Sequence, residues 1–176
     1  MQARRRAVLL TLLLCALIAS IFWAYRPAPI PPDLALQGQI DRILVEKSLR
    51  KMTVFREGVA LKTYNIDLGF TPRGTKAVEG DGRTPEGVFH VDRRNANSKF
   101  HLSLGLDYPQ PQHVRAAKAA GVSASGDIMI HGQPNLLPAA MRMPPDWTEG
   151  CIAVSNAEIK EIFAATPIGT VVEIIP

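Results

Sequence analysis

One thiol and one imidazole in the sequence have the types and setting that acyl chemistry needs. Cys151 follows Gly150, and His131 closes the apolar run Asp127-Ile128-Met129-Ile130-His131 just before Gly132. A cysteine attacks carbonyls as its thiolate, so it needs a base that the fold carries to it, and a histidine takes a proton readily near neutral pH. The second ring nitrogen of that base needs an acceptor to fix its tautomer, and a backbone carbonyl at Gly132 is placed to orient it. Gly150 lets the chain turn tightly, which leaves the N–H groups of Gly150 and Cys151 free to face a developing oxyanion. Residue types alone do not compel this reading, because a solitary cysteine is commonly a small buried hydrophobe and a solitary histidine commonly structural. His90, His101 and His113 have no spacing relative to Cys151 that would make a zinc site, so no metal is expected.

The elements that must position these groups are mostly strands. Ile43 to Val45, Met52 to Phe55 and Val59 to Ile66, with a Glu57-Gly58 turn, read as a hairpin and its neighbours. Gly69 to Gly87 is a polar, glycine-rich loop without the Lys-Ser/Thr pair of a phosphate loop. Val88 to Val91 reads as a strand, His113 to Ala120 as a short helix closed by Gly121, and Asp127 to His131 as a strand. Gly132 to Trp147 is a proline-bearing connection with no periodicity, long enough to serve as a lid or substrate wall. Ser155 and Asn156 offer N-cap chemistry for a helix from Ala157 to Ala164, and Thr170 to Ile175 is a closing strand. Six or seven strands with two short helices predict a mainly antiparallel β-sandwich.

The beginning of the chain has a different character. Arg4, Arg5 and Arg6 precede an uncharged apolar run from Ala7 to Tyr25, about the 20 residues a helix needs to cross a bilayer. The expected organisation is therefore residues 1–25 as a cytoplasmic tip and membrane anchor or signal segment, 26–36 as a Pro-rich linker, and 37–176 as the catalytic domain. The three arginines would stay in the cytoplasm, which puts the domain in the periplasm or cell envelope on the inner membrane's far side. Cys15 falls inside the apolar run and reads as a membrane residue. The sequence pI near 9.3 owes much to this start. Beyond residue 33 the balance is 16 basic against 15 acidic residues, which removes the electrostatic case for a nucleic-acid partner. Cys151 is then alone in its domain and cannot form an internal disulfide.

The order of motifs is more specific than the residue types. Ile130-His131-Gly132, a loop, and then Thr148-Glu149-Gly150-Cys151-Ile152 resemble the His-Gly … Ser/Thr-x-Gly-Cys-hydrophobic signature of the L,D-transpeptidase (YkuD) family. Thr84-Pro85-Glu86-Gly87-Val88-Phe89 is similar to that family's Thr-Pro-x-Gly-x-Phe strand entry. The runs Glu79 to Gly87 and Asp146 to Asn156 look most like its YafK-type subgroup. The resemblance implies an L,D-transpeptidase-type β-sandwich working without metal or organic cofactor. Cys151 would be the nucleophile on the carbonyl of a meso-diaminopimelate residue in peptidoglycan stem peptides, His131 its general base, and a thioester the intermediate. An amine acceptor then gives a cross-link or a protein attachment, and water gives hydrolysis, including release of a wall-attached lipoprotein. The alternative is a catalytically silent tether between membrane and wall.

Two positions depart from the broad pattern. Glu149 stands where many members have histidine, and Ala153 where many have arginine or asparagine. A substrate carboxylate therefore lacks its usual partner, and Arg83 or Arg142 is expected in its place. Glu149 either orients His131, binds a substrate amine or faces water. Trp147 either stacks on substrate or packs beneath the loop, Tyr108 with Asp107 is a candidate for the cleft wall, and Thr148 joins the substrate-binding set through its place in the motif.

Overall fold

Alternation of apolar and polar residues decides the first strands. In the computed structural model, which describes residues 15–16, 20, 36–124, 126–138 and 141–176, β1 (Arg42–Glu46) turns Ile43 and Val45 inward and β2 (Lys51–Arg56) turns Met52 and Val54 inward. β3 (Val59–Asn65) follows a two-residue turn in which Glu57 and Gly58 both take positive φ, 50° and 78°, a backbone whose twist suits a hairpin. The apolar run Ala7 to Tyr25 and the spacer Arg26 to Asp33 lie outside the described residues, apart from Cys15, Ala16 and Ser20. Among the described residues no helix is long and apolar enough to cross a membrane.

β4 (Gly87–Ser98), β5 (His101–Leu106), β6 (Met129–His131), β7 (Ile152–Ala153) and β8 (Val171–Ile175) complete a hydrogen-bonded order β3-β2-β1-β8-β4-β5-β6-β7. β4 is twice as long as its neighbours because it serves both halves. Gly87 to His90 pair with β8, whereas Val91 to Ser98 pair with β5 through two register shifts. Those bulges bend the strand, and residues from both halves, Ile43, Val54 and Val172 with Leu104, Ile130 and Ile152, meet in one buried cluster. Bridges from Asp67 to Ala153 and from Gly69 to Thr148 then tie the chain beyond β3 to the β7 end.

Five of the neighbouring pairs are antiparallel, and β1·β8 and β6·β7 are parallel. The expectation of six or seven strands misses the far half of β4, β5 and the two-residue β7. Asp92 to Asn97 is almost wholly exposed and polar, so no alternation marks it. α1 (Pro111–Ala119) starts two residues earlier than expected, with proline in its first turn, where a missing N–H costs nothing. α2 (Asn156–Ala165) begins on a capping box: Ser155 accepts from the Glu158 N–H, and the Glu158 carboxylate accepts from the Ser155 N–H at 2.8 Å. Its buried face, Ile159, Ile162 and Ala165, packs on the core.

Candidate active site

The register of the shortest strands sets the chemistry. β6 and β7 run parallel with Ile130 opposite Ile152 and His131 opposite Ala153, so Cys151, one residue before β7, falls opposite Met129. Side chains two apart on a strand share a face. His131 and Cys151 therefore leave the same face of the pair as diagonal neighbours. Both line one cavity of about 380 Å³, together with Lys76, Phe100, Trp147 and Glu149. A larger cavity of about 570 Å³ lies among Lys47, Arg50, Asp67, Arg73, Glu86 and Asp146, but it contains neither nucleophile nor imidazole.

His131 is held in one tautomer. Its Nδ1 is 2.7 Å from the Gly132 carbonyl oxygen, which can only accept, so Nδ1 carries the proton and Nε2 keeps a lone pair. Phe100 stacks on the ring at 4.5 Å and 28°, and Trp147 meets it edge-on at 5.6 Å and 70°. Gly132 has no room for a side chain, since a Cβ there would lie 2.6 Å from Asn156 Oδ1 and 3.0 Å from the Phe100 carbonyl oxygen.

The nucleophile's turn is built by Thr148. Its hydroxyl donates to the Cys151 carbonyl oxygen at 2.7 Å and accepts from the Gly150 N–H at 3.1 Å. Gly150 has φ 134°, and a Cβ on it would approach the Arg83 carbonyl oxygen to 2.5 Å, so glycine alone fits. This corrects the expected oxyanion hole: the Gly150 N–H is already committed to Thr148. The Cys151 N–H, which no hydrogen bond among the described residues takes, is the donor left for an oxyanion.

Charge on the pair also differs from a preformed ion pair. Burial pushes the Cys151 thiol up to about 11, against the downward pull of the Met129 amide and the Lys76 ammonium. Burial likewise holds His131 below the usual imidazole range, opposed by its Gly132 hydrogen bond. Both shifts favour the neutral thiol and the neutral imidazole near pH 7, so any attack by the thiol would require it to lose its proton. The thiol meanwhile donates to the Asp127 carbonyl oxygen at 3.4 Å.

The other expected site residues separate. Trp147, Thr148 and Glu149 line the cavity. Glu149 is exposed and does not orient His131, whose partner is Gly132. Tyr108 is 5 % exposed and packs against Phe89 and His113 in the core, so it forms no part of the cleft wall; its place beside prolines reads as a loop, but its ring is an anchor. Arg83 and Arg142 do not line the cavity either. Ala153 is sealed, exchanging backbone hydrogen bonds of 2.8 and 2.9 Å with Asp67. Sequence reasoning missed Lys76 and Phe100, whose only signal is spatial.

Comparisons with known proteins bear on the fold and the family. Residues 40–174 match the profile of the YkuD L,D-transpeptidase catalytic domain. YqjB of Bacillus subtilis, provisionally named an L,D-transpeptidase, is 23 % identical over 163 residues, covering 89 % of this chain and 81 % of its own. The helical cell shape determining protein Pgp2 of Campylobacter jejuni superposes with TM-score 0.61 at 22 % identity, over 82 % of this chain and 51 % of that one. The chain thus spans about half the length of that structure. A beta-glucosidase of Pyricularia oryzae, cel3A, is 27 % identical over 113 residues, which are 60 % of this chain but only 15 % of the glucosidase.

Proposed function

The chain belongs to the YkuD family of L,D-transpeptidase catalytic domains, and from that premise we propose that it is a cysteine acyltransferase or amidase acting on peptidoglycan stem peptides. The observation that carries the reading is the His131 ring, pinned at Nδ1 by the Gly132 carbonyl, with Nε2 left unprotonated in the cavity that Cys151 lines. Nε2 takes the Sγ proton while Sγ attacks the carbonyl carbon of a diaminopimelate residue, and the oxyanion forms against the Cys151 N–H. The imidazolium then gives its proton to the departing amine, the C–N bond breaks, and a thioester remains. An amine acceptor or water attacks the thioester, passes its proton to Nε2, and the thiolate leaves to be reprotonated.

Hydrolysis is the favoured outcome of the thioester, on the likeness of the glycine-rich run to YafK-type enzymes; the product released would include a wall-attached lipoprotein. The apolar run Ala7 to Tyr25 supports an inner-membrane anchor with this domain in the periplasm. A role in cell shape rests on the likeness to Pgp2.

Incubation of the protein with tetrapeptide-containing muropeptides tests the reading. Cys151→Ala is expected to remove all product while leaving the fold intact; turnover unchanged by the substitution would end it. Product masses then assign the reaction, a joined peptide meaning transfer and a freed terminus meaning hydrolysis.

A further inference from the structure

Lys76 is the one cationic side chain among the described residues lining the Cys151 cavity, and it is buried, 4 % exposed. Its stem passes close to Gly126, where a Cβ would come within 3.2 Å of Lys76 Cε. Nζ donates to Asp81 Oδ1 at 3.0 Å and reaches the Glu149 carbonyl oxygen at 3.4 Å. An ammonium has three N–H donors, so one is left for the cavity. Asp81 is itself fixed by the backbone N–H groups of Ala77, Val78 and Arg83, so the ammonium it holds has a set position. A buried lysine that merely filled space would be costly. The other carboxylate or ammonium groups lining the cavity among the described residues are all acids, Glu79, Asp127 and Glu149.

Resting on the peptidoglycan reading above, we infer that Lys76, held in place by Asp81, receives a carboxylate of the substrate peptide next to the scissile amide. The geometry excludes the alternatives inside this site: Ala153 is closed off between strands, and Arg83 and Arg142 lie off the cavity. Two carboxylates of a stem tetrapeptide have the right chemistry, the terminal one and the one on the diaminopimelate side chain.

Titration of the Cys151→Ala protein with three tetrapeptides separates them: the free acid, the C-terminal carboxamide and the side-chain carboxamide. One amide is expected to bind about 10- to 100-fold more weakly than the acid, the range for a charge-assisted hydrogen bond, and that amide identifies the carboxylate held. Adding Lys76→Met should weaken the acid by the same factor, leave that amide unmoved, and so erase the discrimination. Equal binding of all three peptides, or no measurable binding of the acid, overturns the inference, and this comparison in the Cys151→Ala protein needs no folded Lys76 variant. If Lys76→Met instead weakens acid and amides alike and shifts the pH profile of Cys151 alkylation in the otherwise wild-type chain, the lysine serves the thiol and the inference also fails. Wild-type turnover of the free acid, read in parallel, reports on the enzymatic reading by itself.

Discussion

The β1-β2-β8 half of the sheet rests on burial, and the β6-β7 end on burial reinforced by side-chain hydrogen bonds to backbone. In the first, Ile43, Val45, Met52, Val54, Val172 and Ile174 are all at most 1 % exposed on strands of five or six residues, and the removal of apolar surface from water does most of the holding. The second has strands of three and two residues, too short to be held by burial alone. Ile130 and Ile152 are buried there too, and side chains bonded to backbone add a second hold. Thr148 ties Gly150 to Cys151, Gln133 Nε2 donates to the Val154 carbonyl at 2.9 Å, and Asn156 Oδ1 accepts from the Gln133 N–H at 2.8 Å. At the far end of the loop Asp146 pairs with Arg50 at 2.7 Å and accepts from the Leu68 N–H. Volume matters in one half; hydrogen-bond direction and the absence of a Cβ matter in the other. Stability and activity should therefore be separable by substitution.

Ile43→Ala probes the first half and carries the largest expected effect, a loss of about 2–5 kcal/mol of stability, with turnover per folded molecule unchanged. Chemical denaturation beside active-site titration checks it; an equal fall in turnover per folded molecule would erase the contrast. Gly150→Ala probes the other end. The added methyl meets the Arg83 carbonyl oxygen, so the nucleophile must shift, and kcat/KM should drop about 100-fold with a smaller change in denaturation midpoint than Ile43→Ala. Thr148→Val removes both bridging hydrogen bonds at nearly constant volume and leaves the buried Gly150 N–H unpartnered, so kcat is expected to fall about tenfold and stability by about 1–3 kcal/mol. The smallest effect sharpens the charge state of the pair. His131 lies below its ordinary 6.5 and Cys151 above its ordinary 9.0. Activity should therefore rise with pH to a limb centred under 6.5, and thiol alkylation should go on rising toward pH 11. The stability signs follow: the His131 contribution is lost as pH falls below 6.5, and that of Cys151 as pH rises from 9 toward 11. Rapid alkylation that is already flat at pH 6 would mean a preformed thiolate–imidazolium pair.

Legibility in the sequence follows the same division. Ile43, Val45, Met52 and Val54 announce their strands because burial imposes a period of two, and Ser155 with Glu158 announces α2 because a capping box is local. His131, Gly132 and Cys151 were readable as a set through their motif order. Lys76 and Phe100 were not, because each reaches the cavity from a loop or turn whose path depends on non-local pairing. The partner of the Gly150 N–H was equally hidden, since Thr148 stands in the motif without revealing where its hydroxyl points. Tyr108 misled because prolines beside it suggest solvent, whereas its ring packs edge-on against Phe89 and tilted against His113.

The last strand of the chain, β8, lies between β1 and β4, with Arg42 opposite Val171 and Phe89 opposite Val172. A ribosome releases Val171 to Ile175 after every other described strand, so β1 and β4 lack the strand that joins them until then. The closing of the domain is thereby deferred during synthesis by its own topology. Truncation before Val171 should accordingly leave a product without a cooperative unfolding transition by calorimetry; a sharp transition would mean that the flanking strands close by themselves.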